Sequence, residues 1–411
     1  LFLQALIDYG VDSDQDGQIQ KEEAEAIDEL RIEGINISSI SGIEAFINLN
    51  SIVIERTLID SADLSANFKL RTVRLSDNDI SYLNLEGLTD IRVLKIRNNE
   101  LTELDVTAFL ELVELDVYNN NLVHLNLSNS SKLADLEISN NTFEKIDLSG
   151  ADNLLRFDAS NNPLDSVDFT FNTRLRNIQT SNTNISEFDV KHLSDLISLV
   201  ITNCPAKSLD VAGLDKLFTL WLNDSSIETI FMKGTTPDPS QLQFDNTPLK
   251  YICADKEIFP RIFRELEFEN IEDCLVTSIC PATDEGITGG ISGRVKFGQT
   301  EEDCDTSNNY VPYPRFQLDW LNQNGRDLGV LIGPKDGSYE INYYGTMTLR
   351  PGLIYAPEWQ YTDTEFSASN SKSNPQFHIK DFCMTPLVQR KDVQIGIIPL
   401  QAFRAGFVSE L

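Results

Sequence analysis

The sequence predicts a mainly β, locally α+β solenoid: a stack of short parallel strands, entered through a helical cap and followed by an antiparallel β-sandwich. Three observations carry this. Leu49, Leu70, Ile91, Leu112, Leu133, Leu154, Leu175, Leu196 and Leu217 recur every 21 residues. Within each period two apolar residues lie two apart, as Leu94 and Ile96 do, and a polar residue such as Asn99 follows before Leu101, Leu104 and Val106. Beyond about residue 287 that period stops, and alternating runs broken by Asn324-Gly325 and Asp336-Gly337 take over.

Apolar residues two apart share one face of a strand, because strand side chains alternate. Ten such strands start at Leu30, Ile52, Val73, Leu94, Leu115, Leu136, Phe157, Ile178, Leu199 and Leu220, with a degenerate eleventh near 242–244. At roughly 4.8 Å per strand the stack is on the order of 50 Å long. Asn78, Asn99, Asn120, Asn141 and Asn162 keep one register, later replaced by Thr183, Cys204 and Ser225. A buried Asn there can bond the backbone of its own turn and of the next, pairing groups a tight coil would strand. Together these define a leucine-rich-repeat solenoid over 30–253.

The chain's 411 residues carry 33 basic and 64 acidic side chains, a net charge of −31. That balance excludes nucleic acid and anionic membranes as natural partners. No apolar run is long enough to cross a bilayer. The chain reads as starting inside an apolar helix and ending, at 401–411, on the stub of a further domain. Five of six cysteines follow the main repeats without a C-x-x-C motif, which suits disulfides in an oxidising compartment.

Residues 1–29 hold the sharpest motif. Asp12, Asp14 and Asp16 alternate, Gly17 and Ile19 follow, and Glu23 closes a twelve-residue loop. This is the EF-hand calcium pattern. The carboxylates converge on one Ca²⁺, the Gln18 carbonyl takes the seventh position, Gln20 holds a water, and Glu23 clamps with both oxygens. Leu3, Leu6 and Ile7 precede the loop in one helix, and Glu22–Leu30 forms a second. A single hand lacks its usual partner, so Ile19 and these helices are expected to close the apolar end of the solenoid.

Outward residues of the strands line the concave face, where Arg74, Lys95 and Arg97 abut Glu114, Asp116, Asp135, Glu137 and Asp158. Tyr118 and an exposed Trp221 are expected there as aromatic platforms for a glycan or an extended peptide. Facing charges on neighbouring strands can equally just neutralise one another. Asp116 and Glu137 are expected on an open surface where nothing excludes water or shifts a pKa, and no nucleophile–base pair, zinc motif or phosphate loop is present, so no catalysis is expected.

The segment 254–286 reads as a cap and linker. Phe259, Ile262, Phe263 and Leu266 have helical spacing, and Cys253 can pair with Cys274 or Cys280. In 287–400, strands are expected at Ile291–Phe297, Pro314–Leu321, Ser338–Tyr344, Thr346–Arg350, Gln376–Phe382 and Val393–Leu400, an Ig-like antiparallel sandwich. Cys304 and Cys383 would tie its sheets, and the acids Glu301, Glu302, Asp303 and Asp305 form a plain acidic loop or a second cation site.

Gly10–Ala24, the N-N-x-L and Leu104-Asp105-Val106-Thr107 phrases, Tyr251-Ile252-Cys253, Ile291-Ser292-Gly293, Asp336-Gly337-Ser338-Tyr339, Asp381-Phe382-Cys383 and Arg404-Ala405-Gly406-Phe407 resemble a family of secreted leucine-rich-repeat proteins of Bacteroidota. The resemblance implies a multidomain cell-surface or released protein exported by the type IX system, with O-glycosylation at Asp60-Ser61-Ala62 and Asp165-Ser166-Val167. The function expected is calcium-stabilised, non-catalytic recognition or adhesion through the concave face. The alternatives are an architectural stalk, or the non-catalytic part of a larger secreted enzyme.

Overall fold

The computed structural model describes residues 1–235, 237, 241–278, 280, 290–298, 311–312, 316–322, 324–325, 327–334, 336–342, 345–352, 359–370 and 376–386. The chain divides into two compact units, Leu1–Ile227 with Thr235–Thr247, and Glu228–Gly234 with Pro248–Leu411.

In the first unit eleven parallel strands run in chain order through one sheet, from Glu29–Glu33 and Ser51–Glu55 to Thr219–Trp221 and Leu242–Gln243. Each coil returns the chain to its starting edge, so consecutive strands point the same way. Leu30, Ile52, Val73, Leu94, Leu115, Leu136, Phe157, Ile178, Leu199, Leu220 and Leu242 stand in one register. None of them is more than 2 % exposed. The repeat that the leucines predict is therefore the core itself, one apolar residue per coil on a continuous ridge.

The buried asparagines join each coil to the one before it, not the one after. Asn120 donates to Ile96 O at 2.8 Å and Val117 O at 3.1 Å, and its Oδ1 accepts Leu101 N–H at 3.1 Å. Asn99, Asn141 and Asn162 repeat the pattern. A second, outer column escapes the sequence reading. Asp77, Asn98, Asn119, Asn140, Asn161, Asn182, Asn203, Asp224 and Asn246 all have left-handed φ between 51° and 60°. Asn and Asp tolerate that conformation because their short polar side chains bond locally. Here they also bond along the stack, as Asn119 Nδ2 does to Asn98 Oδ1 at 3.0 Å.

The N-terminal cap consists of helices Phe2–Tyr9 and Lys21–Ala26. The second is shorter than the expected Glu22–Leu30, because Glu29–Glu33 is already the first strand. Ala5, Leu6, Val11 and Ala24 are buried. Tyr9 Oη donates to Glu29 O, and Asn48 Nδ2 donates to Glu25 O at 2.6 Å, so the cap is tied to the first coil at both ends.

In the second unit, short parallel strands Thr229–Phe231, Tyr251–Cys253 and Leu275–Thr277 pair in order. Helix Phe259–Phe268 buries Phe259, Ile262 and Leu266, as its spacing predicts. The disulfide is Cys253–Cys280, with Cα atoms 5.5 Å apart. Cys274, the other candidate, stays a buried thiol, because it leads into the strand beside Cys253. Cys383 is disulfide-bonded, and its expected partner Cys304 lies outside the described residues, as do 301–310, Val393–Leu400 and 401–411.

Strands Gln317–Asn322, Asp327–Ile332, Gly345–Gly352 and Phe366–Asn370 form an antiparallel run. The other sheet is mixed where an all-antiparallel one was expected. Gly290–Phe297 pairs antiparallel with Ser338–Asn342 but parallel with both Phe377–Ile379 and Phe382–Pro386. The expected strand Gln376–Phe382 is thus two strands, broken at Lys380 and Asp381. Ile291, Val295, Phe316, Leu318, Trp320, Tyr339, Leu349 and Phe382 belong to one buried cluster.

Candidate functional site

Two features of the first unit draw the expected site residues together. The loop after the first helix turns through Gln15 (φ 62°) and Gly17 (φ 86°). Asp12 Oδ2 accepts Gly17 N–H at 2.9 Å, Asp12 Oδ1 and Asp14 Oδ1 both accept Asp16 N–H at 3.2 Å, and Asp16 Oδ1 accepts Gln18 N–H at 2.8 Å. These bonds wrap the loop around its own carboxylates. One oxygen from each of Asp12, Asp14 and Asp16 lies within 4.8 Å of the others. Oxygens bound to one calcium at 2.3–2.6 Å stand at most about 5 Å apart, so the three fit a single ion.

Glu23 is not in that trio. Its Oε1 accepts Ser13 N–H at 2.6 Å and Ser13 Oγ–H at 2.7 Å, and its Oε2 accepts Gln20 N–H at 3.0 Å. Those two oxygens cap the second helix and brace the loop, since the first turn of a helix has free N–H groups to offer. Gln20 and Ser13 hold the Glu23 carboxyl below its usual range. At Asp14 the Asp16 N–H pulls the other way, but desolvation and the carboxylates of Asp16, Glu23 and Asp12 leave it raised. Ser13 has no place in the twelve-residue pattern, which is why sequence reading passed over it.

The second feature is the outward face of the parallel sheet. One row of side chains crosses it in register: Arg74, Lys95, Asp116, Glu137, Asp158, Gln179, Val200, Trp221. Part of the charge neutralises itself, as cross-strand pairing allows. Lys95 meets Glu114 at 2.5 Å, Arg97 meets Asp116 at 3.3 Å, and Arg156 meets Asp135 at 3.7 Å. Among the described residues no ion pair reaches Glu137 or Asp158. Three acids therefore stand side by side with only Asp116 compensated.

Asp116 and Glu137 are not freely solvated on this face, contrary to expectation. Asp116 is 8 % exposed, and burial raises its pKa against the opposing pull of Arg97. Burial likewise raises Asp135. Glu137 is pushed up to about 7, first by desolvation and then by Asp158, even though Ser139 bonds its carboxylate. The close packing of neighbouring strands removes the water that an isolated strand would keep. The aromatic platforms also differ from expectation. Tyr118 lies beneath the Arg97 guanidinium, 4.9 Å from the ring centroid, and Trp221 is half-buried rather than exposed.

A parallel coil with a 21-residue period around one leucine ridge and an asparagine column has the architecture of a leucine-rich-repeat solenoid. Solved structures it is similar to include the functional domain of InlJ from Listeria monocytogenes, at 16 % identity and TM-score 0.40 over 93 % of this chain and 96 % of that one. Another is the internalin InlF of the same organism, at 18 % and 0.44 over 67 % and 95 %. A third is a leucine-rich-repeat protein of Leptospira interrogans, at 13 % and 0.39 over 62 % and 97 %. At these overlaps the likenesses carry no functional inference. No family model and no curated protein matches the chain.

Proposed function

We propose that the chain is a non-catalytic recognition or adhesion module of a secreted or cell-surface bacterial protein, binding a protein or glycan on the outward face of its parallel sheet. The observation that carries this is the row Asp116, Glu137, Asp158. Like charges stacked in register cost folding energy that alternating signs would avoid. The flanks of the same solenoid do alternate, as Lys132 with Glu111 and Lys216 with Asp195. A local departure from the neutralising pattern on the face best shaped for contact is what a binding surface retains.

The loop Asp12–Glu23 belongs to the same reading as an EF-hand-like cap that takes Ca²⁺ through Asp12, Asp14 and Asp16. Bound there, the ion would offset the repulsion among these carboxylates and stiffen the cap against the first coil. The other domains of a longer chain, Bacteroidota origin and type IX export rest on the sequence resemblance, and an Ig-like sandwich in the second unit rests on its paired sheets. An array of glycans and extended peptides, probed with wild type, Glu137→Lys, Arg97→Ala and Trp221→Ala, tests the binding face. Binding by wild type that Glu137→Lys abolishes supports the reading. No binding by any form favours a spacer stalk instead.

A further inference from the structure

Lys296 and Asp381, in the second unit, play no part in that surface. Lys296 lies on strand Gly290–Phe297, and Phe382–Pro386 runs parallel beside it with Lys296 opposite Cys383. Asp381 immediately precedes that strand, so the backbone itself brings the two side chains together. Lys296 Nζ is 2.5 Å from Asp381 Oδ2, and the lysine side chain is only 7 % exposed. The other carboxylate oxygen, Oδ1, accepts Arg294 N–H at 2.8 Å. Glu340 and Tyr339 join Arg294, Lys296 and Asp381 around a cavity of about 500 Å³.

We propose that Lys296 Nζ and Asp381 Cγ form an intramolecular amide cross-link between these two strands. Nζ and Oδ2 are in direct contact, so a proton can pass between them. A proton passing from Nζ to Oδ2 leaves a neutral amine against a neutral acid. The amine lone pair then attacks Cγ, and the charge gathered on Oδ1 faces the Arg294 N–H, which already donates to that atom. The second Nζ proton moves to Oδ2, which departs as water. The Cγ–Nζ bond forms, the Cγ–Oδ2 bond breaks, and one water leaves through the cavity with nothing oxidised or reduced. Groups fixed in contact react with effective molarities of about 10⁵–10⁸ M, which is what amide formation in water otherwise lacks. The product replaces the ion pair by a neutral amide and ties the parallel strands covalently.

Intact-mass measurement of the full chain, denatured and with its disulfides reduced, reads this directly. The expected mass is one water below that of the sequence, with a branched proteolytic peptide joining Lys296 to Asp381. Lys296→Arg keeps the positive charge but cannot form the amide, so its mass should equal that of its sequence. A wild-type mass equal to the sequence overturns the proposal. So does a lost water that persists in Lys296→Arg, because the loss would then lie elsewhere.

Discussion

Glu137 stands in register with Asp158 on the next parallel strand, and Ser139 Oγ and N–H both bond its carboxylate from below. An acid whose folded pKa is raised to about 7 binds more protons folded than unfolded. Stability must therefore fall as pH rises from about 4.5 toward 7 and level off above, all else being equal. The shift sets a ceiling of about 3 kcal/mol, which solvent on the open side of the group reduces to about 1. Glu137→Gln should remove this loss. Urea unfolding at pH 5 and pH 8 checks it: the variant should gain about 1 kcal/mol over wild type at pH 8 and little at pH 5. An equal difference at both values would show that Glu137 does not titrate between them.

How much of this was legible in the sequence depends on whether a feature is periodic. The ridge from Leu30 to Leu242 and the column from Asn78 to Asn162 were readable because each coil repeats the same demand at the same spacing. The left-handed column of Asn98 and Asn119 was just as periodic. It was missed because an exposed Asn looks like surface filler until its φ is known. The neighbours of Glu137, 21 residues away on both sides, followed from the same period, but its loss of solvent did not, because that depends on how closely the strands pack. The two parallel pairings of Gly290–Phe297 were hidden for a related reason. Strands so distant in sequence carry no local signal of which neighbour they take, and alternation alone suggested hairpins.

The two asparagine columns should differ in what they contribute. Asn120→Ala strands the amide of Leu101 and the carbonyls of Ile96 and Val117, all buried between coils. Unpaired buried polar groups cost about 1–3 kcal/mol each, so a loss of about 3 kcal/mol is expected. Asn119→Ala loses one exposed bond and the tolerance of Asn for φ 54°, about 1 kcal/mol. Asn119→Gly should recover most of that, because glycine accepts the same φ without penalty. Denaturant midpoints of the three variants decide it, and equal losses for Asn119→Ala and Asn120→Ala would contradict the ladder account.

Calcium should act on the cap. An affinity near 10⁻⁴–10⁻³ M is ordinary for an extracellular site of this kind. At 10 mM calcium that corresponds to about 1–3 kcal/mol of added stability. EDTA should lower the melting midpoint and speed hydrogen exchange most in residues 1–55. Asp14→Ala should melt the same with and without calcium. Because the Asp14 pKa is raised, the calcium effect should weaken as pH falls. A midpoint indifferent to both chelator and calcium would remove the cation from the account and leave Glu23 as a helix brace alone.

Coil spacing sets a stricter limit at Gly150 than at left-handed glycines such as Gly87. A Cβ there would sit 2.2 Å from Leu127 O and 2.6 Å from Ser128 Cα, both backbone of the preceding coil. Backbone cannot rotate away as a flexible side chain would, so two coils must part for the methyl to fit. Overpacking of this kind costs about 1–3 kcal/mol, and here the upper part of that range applies. Gly87 poses the opposite problem. It has φ 81° and nothing within 4 Å of a Cβ, so Gly87→Ala meets only the left-handed penalty of about 1 kcal/mol. Gly150→Ala should therefore be the more damaging change, and its damage should spread. Hydrogen exchange should quicken at amides bonded across that junction, such as Asp135 N–H to Val113 O and Arg156 N–H to Ala134 O. In Gly87→Ala faster exchange should stay within its own turn. If both variants lose the same stability and exchange only locally, the coils are not packed as tightly as the Leu127 contact requires.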